Sequence, residues 1–480
     1  MKRIVIAVAA AALLVTPGVA AAKPHSGLDE RSVDAFVGEY LENAGVKGVT
    51  VAVTKGTDVV VAKGYGTDST GAELTGEAPM PIASLSKSFT ALAVMRLSEQ
   101  GKVDLDAPVR EYLSEFTMDD PRAKRITVRQ LLNQTSGMSD GTFSEKVEAQ
   151  PSDLAGSVSR LADAELATAP GKSWNYHNPN FHVAARLVEK VSGEPFGEYL
   201  DTEVFAPLGM TKTSTVDVTD DAKLPRGHFA AYGQRAAAEP HRFVNGSDGI
   251  ISTAEDMANW LAVNNGDGGE LVSAKGFAEL HEPSDPRGRY ALGWNVGKRD
   301  GATVLDHGGV WFTYTARQLV IPETGYGFAV MANTGMSMAA DVPYDLTEGL
   351  MALSEGDQPS TTDSPQSTND LVLGLLTLAA IGWAAWRWYR SGVWARRRVD
   401  RPLWRNVLAG SRALFPALVL LSYPWLAGLV AAGRTATWTE HLYVWFPMLV
   451  WLSIATLGGL LVTGVRAVRL VRLRRSRATT

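Results

Sequence analysis

Three long apolar stretches near the C-terminus constrain the fold of this chain more than any other feature. They cover residues 371–389, 413–432 and 442–465. Each is close to the ~20 residues that a helix needs to cross ~30 Å of hydrocarbon. We therefore predict a membrane domain at residues 371–480 with three transmembrane helices, which makes the lipid bilayer a partner of this chain.

The charges that flank these stretches predict their orientation. Eight arginines lie between residues 387 and 412, and six more lie between residues 466 and 477. The connection between the second and third stretches carries only Arg434 and Glu440. Because arginine-rich loops stay on the cytoplasmic side, everything before residue 371 is predicted to lie outside the cytoplasmic membrane.

The N-terminus supports the same orientation. Residues 1–22 begin with Lys2 and Arg3, continue with an apolar run and end in three alanines, a pattern typical of a secretory signal peptide. An uncleaved anchor is the alternative interpretation. Either way, the chain is predicted to be a multi-pass membrane protein whose preceding domain is extracytoplasmic.

Composition excludes several classes of function. There are no cysteines, so disulfides, thiol nucleophiles and cysteine-ligated metals are excluded. Residues 4–370 carry a net charge of roughly −20, a poor surface for nucleic acid. The eight histidines show no helical His-x-x-x-His pair, so neither a metal site nor a cofactor is predicted.

The region before the membrane domain mixes strands and helices. We predict a domain at residues 28–353, joined to the membrane domain by a flexible polar linker at 354–370. Its strand-like segments are 49–54, 58–63, 290–296, 303–306, 315–322 and 327–333. Early strands, a helical middle region and late strands indicate an α/β (α+β) fold, with one antiparallel sheet, flanking helices and an all-helical insert.

The sequence Ser84-Leu85-Ser86-Lys87 is a candidate nucleophile motif at the start of a helix predicted over 84–100. Residues three apart on a helix lie on nearly the same face, which brings the Lys87 amine within reach of the Ser84 hydroxyl. A serine needs such a group to remove its proton before it can attack a carbonyl. Ser84 is also a good helix N-cap, and that structural role is the alternative.

Two further triplets contain candidate site residues. Tyr176 and Asn178 follow a Pro-Gly turn, where a phenol can move a proton and a carboxamide can hold a substrate amide. His307 and Gly309 precede a strand-like segment, and the glycine permits close approach to a ligand, with the Val310 amide as a second oxyanion donor. A buried tyrosine with an asparagine turn, and a glycine hairpin, are the structural alternatives.

Taken together, these motifs resemble those of the serine β-lactamase and penicillin-binding-protein superfamily. The Tyr-x-Asn and His-x-Gly forms are most similar to the class C β-lactamase-related hydrolases. This resemblance covers residues 28–333 but not the membrane domain. It implies a β-lactamase-like fold in which Ser84 is the nucleophile, and in which Lys87 and Tyr176 transfer protons.

The resemblance also implies the substrate-binding residues. Asn178 would bind a substrate amide, His307 and Gly309 would line a strand edge, and the Ser84 and Val310 amides would form the oxyanion hole. One departure concerns His307, because many relatives carry lysine there. Lysine is a cation suited to a substrate carboxylate, whereas histidine is mostly neutral near pH 7, so neutral esters or amides are favoured.

These observations predict a membrane-anchored extracytoplasmic serine hydrolase that cleaves an amide or ester through an acyl-enzyme. Its substrate would be a small molecule or a peptide, with cell-wall peptides among the candidates. The alternatives are a D,D-carboxypeptidase or β-lactamase, and a non-catalytic penicillin-binding or sensing protein. The sequence assigns no protein partner.

Overall fold

A computed structural model describes residues 28–266, 271–337, 339–359, 365–430 and 434–478. The predicted signal peptide at residues 1–22 lies outside the described residues. We call residues 28–353 the globular domain.

The globular domain is built on a six-stranded antiparallel sheet. Its strands and those of two small sheets are β1 Gly48–Lys55, β2 Asp58–Gly66, β3 Met80–Pro81, β4 Ser214–Thr215, β5 Gly227–Ala230, β6 Gln234–Ala237, β7 Ile250–Ser252, β8 Asn295–Arg299, β9 Ala302–Val310, β10 Thr315–Ile321 and β11 Tyr326–Ala332. The order in the large sheet is β2-β1-β11-β10-β9-β8. Since β1 pairs with β11, both ends of the domain meet in one sheet, as the sequence predicts.

Helices cover both faces of this sheet. In the globular domain they are α1 Glu30–Ala44, α2 Ser86–Glu99, α3 Val128–Leu132, α4 Leu154–Ser159, α5 Pro179–Ser192, α6 Phe196–Leu200, α7 Ala254–Asn265, α8 Ala274–His281 and α9 Val342–Ser354. Helices α1 and α9 bury a core of apolar residues on one face. Helices α2, α5 and α7 belong to the larger core on the other face, where the motif at Ser84 lies.

Two local differences from the predicted pattern have clear causes. The strand predicted over 290–296 instead runs from Asn295 to Arg299, because Gly293 adopts a positive φ of 79° and turns the chain before it. The middle region also contains the short strands β4, β5 and β6 beside its helices. These strands have two to four residues, too few to show an alternating pattern in the sequence.

The C-terminal part consists of long apolar helices. They are α10 Pro365–Tyr389, α11 Ser391–Arg396, α12 Leu403–Ser411, α13 Phe415–Val430 and α14 Trp438–Ala478. Three segments, Pro365–Tyr389, Leu403–Leu429 and Trp438–Ala478, are long and apolar enough to cross a membrane. Helix α10 begins inside the predicted linker, and α14 extends well beyond the predicted third span.

The two ends of this helical region differ in what they contact. The start of α10 meets the globular domain, where the Gly233 amide donates to the Asp370 carboxylate at 3.0 Å. At the other end, Arg474 donates to the Val399 carbonyl at 3.1 Å and Arg477 pairs with Asp400 at 2.6 Å. The arginine-rich segments therefore lie together, at the far end of the helices from the globular domain.

Candidate active site

Ser84 lies in a tight turn that enters α2. The turn is a 3-10 segment at Ala83–Leu85, and Ala83 has a positive φ of 47°. This conformation costs an L-residue roughly 1–2 kcal/mol, so the surroundings must hold it. The Ser86 hydroxyl does so by donating to the Ala83 carbonyl at 2.6 Å and accepting from the Ile250 amide at 3.1 Å. The backbone at Ser84 is thus fixed before any substrate arrives.

The Lys87 amine contacts the Ser84 hydroxyl directly, as the motif spacing predicts. The Nζ–Oγ distance is 2.8 Å, and the Lys87 side chain is fully buried. Nζ also donates to the Ser247 carbonyl at 3.0 Å. These two contacts hold the amine one helical turn below the nucleophile.

Asp248, which the sequence analysis missed, is the third member of this cluster. Its Oδ1 accepts from the Ser84 hydroxyl and lies 3.3 Å from Lys87 Nζ. Oδ2 accepts from the Ser247 hydroxyl at 2.8 Å and lies 3.8 Å from the Arg242 guanidinium. Burial alone would raise the pKa of Asp248. The positive charges of Lys87 and Arg242, together with the hydrogen bonds from Ser84 and Ser247, outweigh burial, so the pKa of Asp248 is lowered. The site therefore contains a buried, ionised carboxylate against the nucleophile.

Tyr176 lies between two cations on the irregular segment before α5. Its ring centroid is 4.9 Å from Lys87 Nζ and 4.9 Å from the Arg434 guanidinium. The Tyr176 ring also lies 6.0 Å from the His307 ring, centroid to centroid. These contacts hold the Tyr176 ring beside the Ser84–Lys87 pair.

Asn178 is positioned by a buried carboxylate. Its amide nitrogen donates to Glu145 Oε1 at 2.8 Å. Its amide oxygen is buried and has no hydrogen-bond partner among the described residues. A buried acceptor without a partner is costly, and a substrate N–H group would satisfy it.

His307 lies in β9 and is neutral. Its Nδ1 lies 2.7 Å from the Gly308 carbonyl and must donate to it, so Nε2 accepts from the Tyr290 hydroxyl at 3.2 Å. Burial, helped by the Lys87 charge, lowers the pKa of His307 to about 4. This agrees with the expectation of a neutral side chain at this position.

Gly309 and Val310 bring the end of β9 against the nucleophile turn. A Cβ on Gly309 would lie 2.4 Å from the Ile82 carbonyl oxygen, so only glycine fits there. Strand β8 pairs with β9 only as far as Asp306. The edge of β9 from residue 307 onward is therefore free of β8 and faces the turn that carries Ser84.

A cavity of about 420 Å³ lies beside Ser84. Its wall includes three of the predicted site residues, Ser84, Asn178 and Val310, while the other four are not among the lining residues. The unpredicted lining residues with charged side chains are Lys146, Arg242, Asp248, Arg434 and Glu440. Arg434 and Glu440 come from the connection between α13 and α14 and from the start of α14.

Two of these residues could not be assigned to the site from the sequence. Asp248 ends a turn just before the three-residue strand β7, and nothing in its neighbours distinguishes it from a surface turn residue. Arg434 was visible as a charge in a short connection, but its contact with a site more than 250 residues away was not. Among the described residues, no group of three or more His, Asp or Glu side chains could hold a metal ion.

Comparison with known proteins agrees with the geometry. The model of the Beta-lactamase family matches residues 33–347. Protein flp of Staphylococcus aureus (strain N315) is 24% identical over 315 residues, which span 63% of this chain and 63% of that protein. Esterase EstB of Burkholderia gladioli is 27% identical over 268 residues, covering 48% of this chain and 68% of the esterase.

Solved structures include the octameric penicillin-binding protein homologue from Pyrococcus abyssi. It is 25% identical, with a TM-score of 0.59, and the match covers 72% of this chain and 82% of that one. The matched family region includes both the nucleophile turn and β9. Since that region is well over half of the sequence, the chain belongs to the Beta-lactamase family.

Proposed function

We propose that this protein is a membrane-anchored serine hydrolase that cleaves an ester or amide through an acyl-enzyme on Ser84. The observation that carries the proposal is the buried hydrogen-bonded cluster of Ser84, Lys87 and Asp248, with Ser84 Oγ 2.8 Å from the amine. Ser84 Oγ accepts from the Lys87 amine and donates to the Asp248 carboxylate, so its proton already points at a base. A serine that only caps a helix has no such base beside it.

The reaction would proceed in two stages. Ser84 Oγ bonds to the substrate carbonyl carbon while its proton leaves toward the Lys87–Asp248 pair. The oxyanion is held by backbone amides of the Ser84 turn and of Val310. The bond to the leaving group then breaks, and that group takes a proton delivered through Lys87 and Tyr176. Water completes the cycle by the reverse route and releases the acid.

A neutral ester or amide suits the β9 side of this site. His307 is neutral at pH 7, since its pKa is lowered to about 4, so it supplies no charge for a substrate carboxylate. The unsatisfied amide oxygen of Asn178 suits a substrate that offers an N–H group. EstB, a relative, is named as an esterase, which supports this substrate class.

One observation favours a second candidate, a D,D-carboxypeptidase or β-lactamase. Lys146 lines the cavity, with its Nζ 5.4 Å from the Phe312 ring centroid. Burial and the Arg434 charge lower the pKa of Lys146. The free carboxylate of a cell-wall peptide or a β-lactam would stabilise the protonated form of Lys146 and accept its hydrogen bonds. The penicillin-binding protein homologue among the structural neighbours supports it too. A non-catalytic penicillin-binding or sensing role is the outcome expected if the acyl-enzyme forms but is not hydrolysed.

The extracytoplasmic location is part of the proposal. The globular domain contacts the start of α10, and the arginine-rich segments lie at the opposite end of the helices. The positive-inside rule then places that end in the cytoplasm and the active site outside. Cysteine-scanning accessibility in intact cells tests this. An impermeant maleimide is expected to label Ser144→Cys but not Ser476→Cys, and the reverse pattern would refute the orientation.

The activity is tested with a substrate panel on the full chain in lipid nanodiscs. The panel comprises p-nitrophenyl esters, D-amino-acid amides, D-Ala-D-Ala peptides and nitrocefin, each assayed with the wild type and Ser84→Ala. Turnover of esters or amides that disappears in Ser84→Ala is the expected result. Turnover that the variant retains at the wild-type rate would overturn the nucleophile assignment.

A further inference from the structure

The α13–α14 region of the membrane domain forms one wall of the catalytic cavity. Besides Ser84 and Asn178, the 420 Å³ cavity is lined by residues of α13, α14 and their connection. These are Ala427, Arg434, Thr435, Ala436, Glu440, His441, Val444 and Trp445. A plain anchor joined by a flexible linker would have no reason to contribute to the active site.

Specific polar contacts hold this wall in place. The Arg434 guanidinium donates to Asp140 Oδ2 at 2.9 Å, and the Thr435 amide donates to the same oxygen at 3.0 Å. Asp140 is buried and also accepts from His177 at 2.8 Å. The Tyr443 hydroxyl donates to the Ala238 carbonyl at 2.7 Å. The globular domain and the helix ends are therefore joined around the cavity by directional bonds.

A second cavity continues from this wall into the helical region. It has a volume of about 370 Å³ and lies between α13 and α14. Its lining residues are apolar or aromatic: Phe415, Pro416, Val419, Tyr423, Leu426, Ala427, Trp445, Met448, Trp451, Leu452 and Ala455. Ala427 and Trp445 line both cavities, so the two spaces meet at these residues. We call the second cavity the interhelical groove.

The chemistry of the groove restricts its occupant. In a bilayer, a polar group placed among these side chains would lose its hydrogen bonds without replacement. An apolar cavity also gives a water molecule no partners. A hydrocarbon chain of the bilayer needs no hydrogen-bond partners, so it fits a groove that disfavours both polar groups and water. A chain bound there would enter the catalytic cavity, which Ser84 also lines, at Ala427 and Trp445.

We propose that the substrate is a long-chain acyl ester or amide drawn from the bilayer, with its acyl chain in the interhelical groove and its carbonyl carbon at Ser84. This inference rests on the proposed function and names its substrate class. The Ser84 intermediate would then be a fatty acyl ester, formed as the polar leaving group departs with its proton. Water would release the free fatty acid.

Chain-length dependence in nanodiscs tests the proposal. The rates of p-nitrophenyl acetate, octanoate and palmitate hydrolysis are measured for the wild type and for Ala455→Trp, which fills the groove. The matched control is Leu457→Trp on the same helix, because Leu457 is 56% exposed and does not line the groove. We expect kcat/KM to rise at least tenfold from acetate to palmitate in the wild type and in the control. In Ala455→Trp, the palmitate-to-acetate ratio should fall at least tenfold.

The outcomes separate this inference from the proposed function. Ser84-dependent acetate turnover with no preference for longer chains, or an equal preference in Ala455→Trp and the wild type, would overturn the acyl-chain assignment alone. No Ser84-dependent turnover of any ester would overturn both. Because Ala455→Trp could fail to fold, the smaller Ala455→Leu is measured as well. Competition between hexadecyl and ethyl fluorophosphonates for Ser84 in the wild type gives an independent readout, with the hexadecyl probe expected to react faster.

Discussion

The two sides of the catalytic cavity differ in how they are built. On one side, Ser84, Lys87 and Asp248 are buried and joined by hydrogen bonds within the globular domain. On the other side, a short connection and the ends of two apolar helices close the cavity through contacts such as Arg434 to Asp140. The first side carries groups that can do acyl-transfer chemistry, and the second supplies residues that line the space beside them. Variants on each side should therefore have different kinetic effects.

The largest expected effect comes from the buried charge pair. Lys87→Met should lower kcat at least about 10³-fold, because it removes the cation that contacts Ser84. It should also lower the free energy of unfolding by about 3–5 kcal/mol, since Asp248 would remain buried without its lysine. Kinetics in nanodiscs and thermal unfolding in detergent check both effects.

The double variant Lys87→Met/Asp248→Asn sharpens this result. It removes both charges, so much of the lost stability should return while activity stays low. Recovery of activity together with stability would contradict a chemical role for the pair.

Asp248→Asn alone should have the next largest effect. The amide keeps the shape of the carboxylate but loses its charge, and we expect kcat for short esters to fall about 10²-fold or more. KM should change much less, because Asp248 acts on Ser84 rather than on the substrate. A variant with wild-type kcat would show that Asp248 serves only the fold.

A third prediction concerns pH. His307 has an ordinary pKa of 6.5 and a lowered value of about 4 in the fold, so the unfolded chain binds the additional proton between these values. Stability due to His307 is therefore fully present above pH 6.5, and is lost as the pH falls toward 4, by up to about 3 kcal/mol. Unfolding curves of His307→Gln should show a smaller loss over this range.

The exposed His241→Gln is the control for this measurement, because its side chain is 55% exposed at the surface. Its unfolding curves should follow those of the wild type from pH 7 to pH 4. Equal pH dependence in His307→Gln and the wild type would refute a buried, neutral His307.

The smallest predicted effect comes from the side of the cavity built by α13, α14 and their connection. Arg434→Ala removes the ion pair with Asp140 and the contact with the Tyr176 ring. We expect KM for p-nitrophenyl palmitate to rise about threefold to tenfold, with a smaller change in kcat, since the wall loosens while the Ser84 cluster stays intact. A loss of kcat with no change in KM would place Arg434 in the chemistry instead.

The comparison of the two sides also shows what sequence can predict. Ser84 and Lys87 are three residues apart in one helical turn, so local geometry alone predicts their contact, and the structure has it at 2.8 Å. The sheet was predictable because strands such as β1 and β11 are long enough to show their pattern. The position of a residue within such a helix or strand can be predicted from the residues next to it in the sequence.

The remaining parts depend on contacts between distant segments. Asp248 reaches Ser84 because the turn before β7 packs against α2, and no periodicity marks that packing. The wall around Arg434 depends on how the helices dock on the globular domain, which hydropathy does not encode. The strand predicted over 290–296 is displaced because Gly293 has a positive φ. The apolar residues around Gly293 are typical of a strand, so the sequence does not indicate this turn.

The central claim is that Ser84 is an activated nucleophile, and peptide mapping by mass spectrometry tests it most directly. The full chain in nanodiscs is treated with a fluorophosphonate and digested, and the modified residue is identified. We predict one adduct, on Ser84, which forms slowly or not at all in Lys87→Met. An unmodified Ser84 in a protein that still hydrolyses esters would contradict the account.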